Sequence, residues 1–195
     1  MPDEDFLKGF VEATEVDNKL LELIATSGGQ LAPHLHMPLQ SGANPILRSM
    51  RRWHTREQYR SRALEIAARV EPLGLGADII SGFPGETDAD HRATVDLVSE
   101  LPFTYLHVFP FSARPNTAAF DLKGAPKPEI VRERRAALSE AASEIGASFR
   151  RSLDGARETV VIEGTVGLSG RYQRVVVPMG EDLFPGDLID VEETS

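Results

Sequence analysis

Three short polar stretches hold the side chains of this sequence best placed for chemistry: QSG (Gln40 to Gly42), GFPGE (Gly82 to Glu86) and FSARP (Phe111 to Pro115). Each ends an apolar run that reads as a strand. Glycine lets backbone approach a ligand closely, and the N-terminus of a following helix favours an anionic group. In βα barrels the ligand sits in such loops, at the C-terminal ends of the strands, so three loops in register predict a site. A rival constellation is His34 and His36, an H-x-H pair with both imidazoles on one face of a strand, which Asp78 and His107 could complete. Metal-dependent barrel hydrolases use such donors. The pair stands before Pro38, toward the start of its strand, where hydrogen-bonded interior histidines are the plainer reading. Ser41 has neither a G-x-S-x-G elbow nor a dedicated base, so it is not assigned as a nucleophile.

Composition narrows the chemistry further. The 195 residues include no cysteine, which excludes disulfides, thiolate metal sites and cysteine nucleophiles. A net charge of -9 argues against a generally basic nucleic-acid binder. Charge is uneven, however: Arg48, Arg51, Arg52, Arg56, Arg60, Arg62 and Arg69 face only Glu57 and Glu65 in the same stretch. That cluster suits phosphate or carboxylate, or else is a solvated helix face. No stretch approaches the ~18 apolar residues of a membrane span. The start, MPDEDFLKGF, lacks the basic and apolar segments of a signal peptide, so a cytoplasmic protein without membrane partners is expected.

The elements that position these loops follow from periodicity and caps. Thr14 is expected to cap a helix with Val16, Leu20, Leu23 and Ile24 at helical spacing. HLHMPL (His34 to Leu39) reads as a strand, Pro45 starts a short helix through Met50, and Thr55 with Gln58 has the form of a capping box. Tyr59, Ala63, Ile66, Ala67 and Val70 give an amphipathic face, and Trp53, the only tryptophan, is expected to pack against the barrel. Ala77 to Ser81 is continuously apolar in texture, as in a strand buried on both faces of a parallel sheet. Thr87 caps a further helix, Thr104 to Phe111 forms the next strand, and a long helix follows Pro126 and Pro128. Strand and helix thus alternate at βαβ intervals. Beyond Asp154-Gly155 the short alternating runs ETVVIEG, RYQRVVVP and DLIDVEE predict a small β-barrel. The expected division is 1-152 and 153-195, an α/β part followed by an all-β part.

The blocks HLHMPLQSGANPILRSMRRWHTREQY, DIISGFPGETDADHRATVDLV and FTYLHVFPFSARPNTAAF resemble, in order and spacing, the radical S-adenosylmethionine tRNA methylthiotransferases. The third block looks most like the branch acting on threonylcarbamoyl-adenosine beside the anticodon. The resemblance implies the C-terminal half of a partial (βα) radical-SAM barrel followed by a TRAM-like β-barrel. Ala43, Asn116 and Ala118 depart from the family's usual Ser, Gly and Pro. By resemblance, Gln40, Ser41 and Arg52 contact S-adenosylmethionine, while Ile80, Gly82, Phe83 and Pro84 form a shelf for its adenine. Ser112 and Arg114 face the substrate side, and tRNA is the implied partner. The family uses two cofactor molecules, one as methyl donor and one as radical source. It also carries 4Fe-4S clusters, whose cysteine ligands this chain lacks. These residues alone are therefore expected to be inactive, with a catalytically dead binding module or a hydrolase using His34 and His36 as alternatives. An open barrel edge implies possible self-association. From Arg157 onward three arginines (Arg157, Arg171, Arg174) meet eight acids (Glu158, Glu163, Glu181, Asp182, Asp187, Asp190, Glu192, Glu193), which is acidic for an RNA-gripping module.

Overall fold

Side-chain caps set where the helices begin. In the computed structural model, which describes residues 15–115, 117, 119–177 and 183–192, Asp17 accepts from the Leu20 amide at 2.7 Å and opens α1 (Asn18–Thr26). The Thr14 expectation lies outside the described residues. Thr55 and Gln58 form a reciprocal capping box at α3 (Arg56–Arg69), and Thr87 with Asp90 does the same at α4 (Asp88–Glu100). Proline occupies the first turn of both α2 (Asn44–Ser49) and α5 (Pro128–Ser152), where its missing N–H costs nothing.

Between the helices run three parallel strands in the order β1-β2-β3: β1 (His34–His36), β2 (Gly74–Ser81) and β3 (Tyr105–Pro110). β1 is shorter than its apolar pattern suggests: Met37 donates to the Gly76 carbonyl, but the next donor to β2 is Gln40 instead of Leu39, and the chain rejoins the sheet there with a bridge to Ile79. β2 is longer than expected and begins at Gly74. Registers pair His36 with Gly76, Gly76 with Tyr105 and Asp78 with His107. The period of two then separates the faces. Leu35, Leu75, Ala77 and Ile79 point into one core with Tyr59, Ala63 and Ile66 of α3, Leu97 and Val98 of α4, and Leu138 of α5. His34, His36, Asp78, Tyr105, His107 and Phe109 share the opposite face. Helices thus pack on one side of the sheet only, as in the outer ring of a βα barrel. The outer edges of β1 and β3 have no strand neighbour among the described residues.

Beyond the last helix lies a four-stranded antiparallel sheet in the order β6-β5-β4-β7. Its strands are β4 (Arg157–Glu163), β5 (Val166–Ser169), β6 (Arg174–Val176) and β7 (Leu188–Glu192). The periodicity missed β5, a four-residue strand interrupted by Gly167. No pairing of β6 with β7 closes a barrel among the described residues. The β5–β6 turn rests on the N-terminal ends of the parallel strands. Arg171 donates from Nε to the Pro72 carbonyl at 2.9 Å and also pairs with the buried Glu158. A Cβ on Gly74 would stand 2.6 Å from the Arg171 carbonyl oxygen, so glycine is required by close approach there.

Tyr172, in the left-handed region at φ 63, stacks on His34 at 5.1 Å between ring centroids and lies 4.8 Å from Tyr105. Burial there, with a smaller contribution from His36, holds the His34 imidazole down to about 4. The unfolded chain takes up this proton near the ordinary value of 6.5 whereas the folded chain resists until about 4. Stability is therefore full above the unfolded value and is lost as pH falls toward the folded one. The melting temperature should fall between pH 7 and pH 5, and His34→Gln should flatten that dependence in thermal denaturation followed by circular dichroism.

Candidate functional site

The three loops converge as the residue types suggested. A cavity of about 390 Å³ opens at the C-terminal ends of the strands, lined among others by Gln40, Arg52, Ile80, Phe83, Ser112 and Arg114. Gln40 is buried in a left-handed conformation at φ 69, donating its amide to the Asp78 carbonyl and accepting from the Ile80 amide at 2.8 and 2.9 Å. A non-glycine residue held there stores backbone strain that the surrounding ladder must support. Phe83 is buried and meets Phe111 edge to face at 5.0 Å. These rings and Ile80 form an apolar wall; Gln40, Ser112 and the arginines give the cavity its polar side.

Other expected residues lie elsewhere. The Ser41 hydroxyl is buried and faces α4, 3.4 Å from Thr94 Oγ1, and it accepts from the Ala43 amide at 3.2 Å. Its role is to shape the QSG turn. Gly82 has φ 80, and Val131 of α5 occupies the space a Cβ would need. It lines a separate, apolar cavity of about 610 Å³ between the loop and α5, which lacks convergent polar side chains apart from Arg132, Arg135 and Ser139. Pro84 is buried within the turn and does not line the 390 Å³ cavity.

Among the lining residues not assigned to the site from the sequence are Trp53 and Arg51, the latter named only as one of the arginine cluster. Trp53 does not pack against the barrel; it is 89% exposed. Helix α2 ends in a tight turn, with Arg51 at φ 58 and the Arg52 amide donating to the Leu47 carbonyl, and this turn carries the indole outward. The run M-R-R-W-H was the available signal.

Loop shape is set from behind by an ion-pair cluster. Glu86 accepts from the Gly82 amide at 3.0 Å and from Arg134 at 2.7 Å, and Arg134 also donates to the Glu86 carbonyl and to Asp88. Burial pushes the Glu86 carboxyl up, against the pull of the Gly82 amide and the guanidinium; Arg134 holds the exposed Asp88 below its ordinary value.

The histidine pair does not converge on one metal position. Tyr105 Oη lies 2.8 Å from His34 Nε2 and 2.9 Å from His36 Nδ1, so the hydroxyl joins the two rings in a hydrogen-bonded interior network. His36 Nε2 instead faces Asp78 at 3.2 Å, and with His107 these offer three donor atoms within 4.8 Å of one another. Two imidazoles and a carboxylate are ordinary zinc donors, but that set excludes His34 and lies away from the loops.

The chain shares its fold with a solved enzyme. Coproporphyrinogen III oxidase from Escherichia coli, described as a radical SAM enzyme, superposes with a TM-score of 0.55 at 19% identity, covering 82% of this chain and 43% of that one. The chain is, more particularly, a homologue of proteins named tRNA-2-methylthio-N(6)-dimethylallyladenosine synthase. It is 37% identical to that of Acidithiobacillus ferrooxidans over 183 residues, covering 89% of this chain and 41% of the relative. The Methylococcus capsulatus protein is 39% identical, with 83% and 37% covered, and the Zymomonas mobilis protein 34% identical, with 97% and 41% covered. The chain thus spans about two fifths of the length of these curated relatives. No family model matches it. No helix among the described residues is long and apolar enough to cross a membrane.

Breaking the cluster behind the loop should be costly. Arg134→Met leaves the buried Glu86 carboxylate unpaired, and a loss of about 3–5 kcal/mol is expected in urea unfolding. The double change Arg134→Met, Glu86→Gln should recover part of it, because no buried charge then remains.

Proposed function

We propose that this chain is the C-terminal portion of a radical S-adenosylmethionine tRNA methylthiotransferase, an enzyme that adds a methylthio group to a modified adenosine of tRNA. The convergence of Gln40, Arg52, Ile80, Phe83, Ser112 and Arg114 on one cavity carries the reading, in a chain with relatives named for that chemistry. The chain's residues suit S-adenosylmethionine: an apolar wall for the adenine, the polar Gln40 side chain, and the Arg52 guanidinium for a carboxylate. Ser112 and Arg114 stand on the substrate side of the same cavity. Residues 1-152 supply part of the barrel and 153-195 the TRAM-like module.

The donors do not suit a 4Fe-4S cluster. Thiolates hold such clusters, and the chain has no cysteine. Cofactor cleavage and methylthiolation are accordingly assigned to the assembled enzyme and not to these residues by themselves. The open edges of β1 and β3 and the half-exposed Phe109 on the bare sheet face are surfaces for the rest of a barrel or for a second copy. Sedimentation velocity should show concentration-dependent self-association of the isolated chain; a compact monomer at all concentrations would remove that part of the reading.

The HVFPFSARPNT block favours threonylcarbamoyl-adenosine, whereas the relatives are named for dimethylallyladenosine. One experiment tests the function and separates the two. The gene is inactivated, bulk tRNA is digested, and the nucleosides are resolved by mass spectrometry. Loss of a methylthio-adenosine derivative is expected, and its mass identifies the branch. An unchanged nucleoside profile overturns the proposal.

A further inference from the structure

Trp53 is the chain's sole tryptophan and is 89% exposed at the rim of the cavity. An indole normally buries most of its surface, so one displayed on a fixed turn invites a partner. The cavity beside it is lined by Arg51, Arg52 and Arg114 and by no carboxylate, in a chain of net charge -9. Four other arginines of the stretch have partners of their own. Arg56 donates to the Gly42 and Ala93 carbonyls, Arg60 pairs with Glu100, Arg62 with Glu65 and the Val16 carbonyl, and Arg69 with Glu65. Folding also gathers Arg51, Arg52 and Arg114 around one aromatic ring at the cavity.

We infer that Trp53 is a stacking platform for an unpaired base of the RNA substrate, with Arg51 and Arg114 meeting the phosphates that flank it. The inference rests on the tRNA reading above and adds the element that grips the loop. Base on aromatic ring plus guanidinium on phosphate is how single-stranded RNA is held, since every base has a π-face and every linkage a charge. The second sheet cannot supply that grip, because its acids outnumber its arginines. The cavity interior takes a nucleoside-sized group, and Trp53 stands at its rim, where a neighbouring base would lie.

A single tryptophan makes the test direct. A synthetic RNA hairpin with an unpaired loop is titrated into the chain while indole fluorescence is followed, and affinity is measured independently by anisotropy of labelled hairpin. Saturable quenching is expected, and Trp53→Ala should weaken binding about tenfold while Trp53→Phe retains most of it. Arg51→Ala and Arg114→Ala should each lower the salt dependence by roughly one counterion. Circular dichroism should be unchanged in Trp53→Ala, given the exposure of the side chain. Equal hairpin affinity of wild type and Trp53→Ala, equal quenching by a loopless duplex, or no hairpin binding at all would overturn the inference. The nucleoside analysis is read independently. Loss of methylthio-adenosine together with a silent Trp53→Ala rejects only the platform; unchanged nucleosides together with hairpin-specific quenching reject the tRNA modification and keep an RNA platform.

Discussion

Glu86 turns back from the end of the GFPGE loop to hold the Gly82 amide, and in the same plane of contacts it meets Arg134 of α5. Both side chains are buried, at 2% and 7% exposure, so each charge is affordable only in the presence of the other. Arg134 also ties the first residue of α4 through Asp88. One guanidinium thus fixes the end of β2, the start of α4 and the flank of α5. With those three fixed, Phe83 faces Phe111 across the cavity wall. Burial raises the Glu86 carboxyl although the Gly82 amide and Arg134 pull it down.

The same sheet has two unlike faces, and the contrast explains the architecture. On one face aliphatic residues meet three helices and form the main core. On the other, His34, His36, Asp78, Tyr105 and His107 form a hydrogen-bonded and ring-stacked network. Gly76 makes this possible, because a Cβ there would overlap the Tyr105 ring. The alternation of two along each strand is what sends the aliphatic set to one face and the rings to the other. The second sheet covers the N-terminal end of this network through Tyr172 and leaves the C-terminal end, with its cavity, open.

Charge is sorted by the fold in a way that bears on function. The arginine-rich stretch from Arg48 to Arg69 looks uniformly basic, yet α3 commits its arginines to carbonyls and carboxylates of neighbouring elements. At the cavity Arg51, Arg52 and Arg114 meet from two loops far apart in sequence. A protein acidic overall can in this way present an anion-binding surface confined to its site.

Local order was legible from the sequence because local interactions decide it. Thr55 with Gln58, and Thr87 with its following acids, announce helix starts since a cap needs only the residues within one turn. The three loop motifs, their order and the texture change after Asp154 likewise determine a βα unit followed by a β-rich segment. β1 ended early and β5 was missed because strands of three or four residues carry too little periodicity to register. Side-chain direction was beyond reach. Ser41 and Gln40 are neighbours with equal claims in the sequence, but the left-handed backbone at Gln40 sends one toward the cavity and the other into α4. Trp53 is apolar enough to suggest burial, and only the turn at Arg51 exposes it. The pairing of Glu86 with Arg134 spans 48 positions, a separation at which no pattern in the chain marks one partner for the other. Sequence by itself determined most of the elements and the loops that end the parallel strands, because caps, glycines and periodicity act within a few residues. Tertiary structure alone decided which side chains meet, because burial and long-range charge pairing depend on the packing of all the elements together.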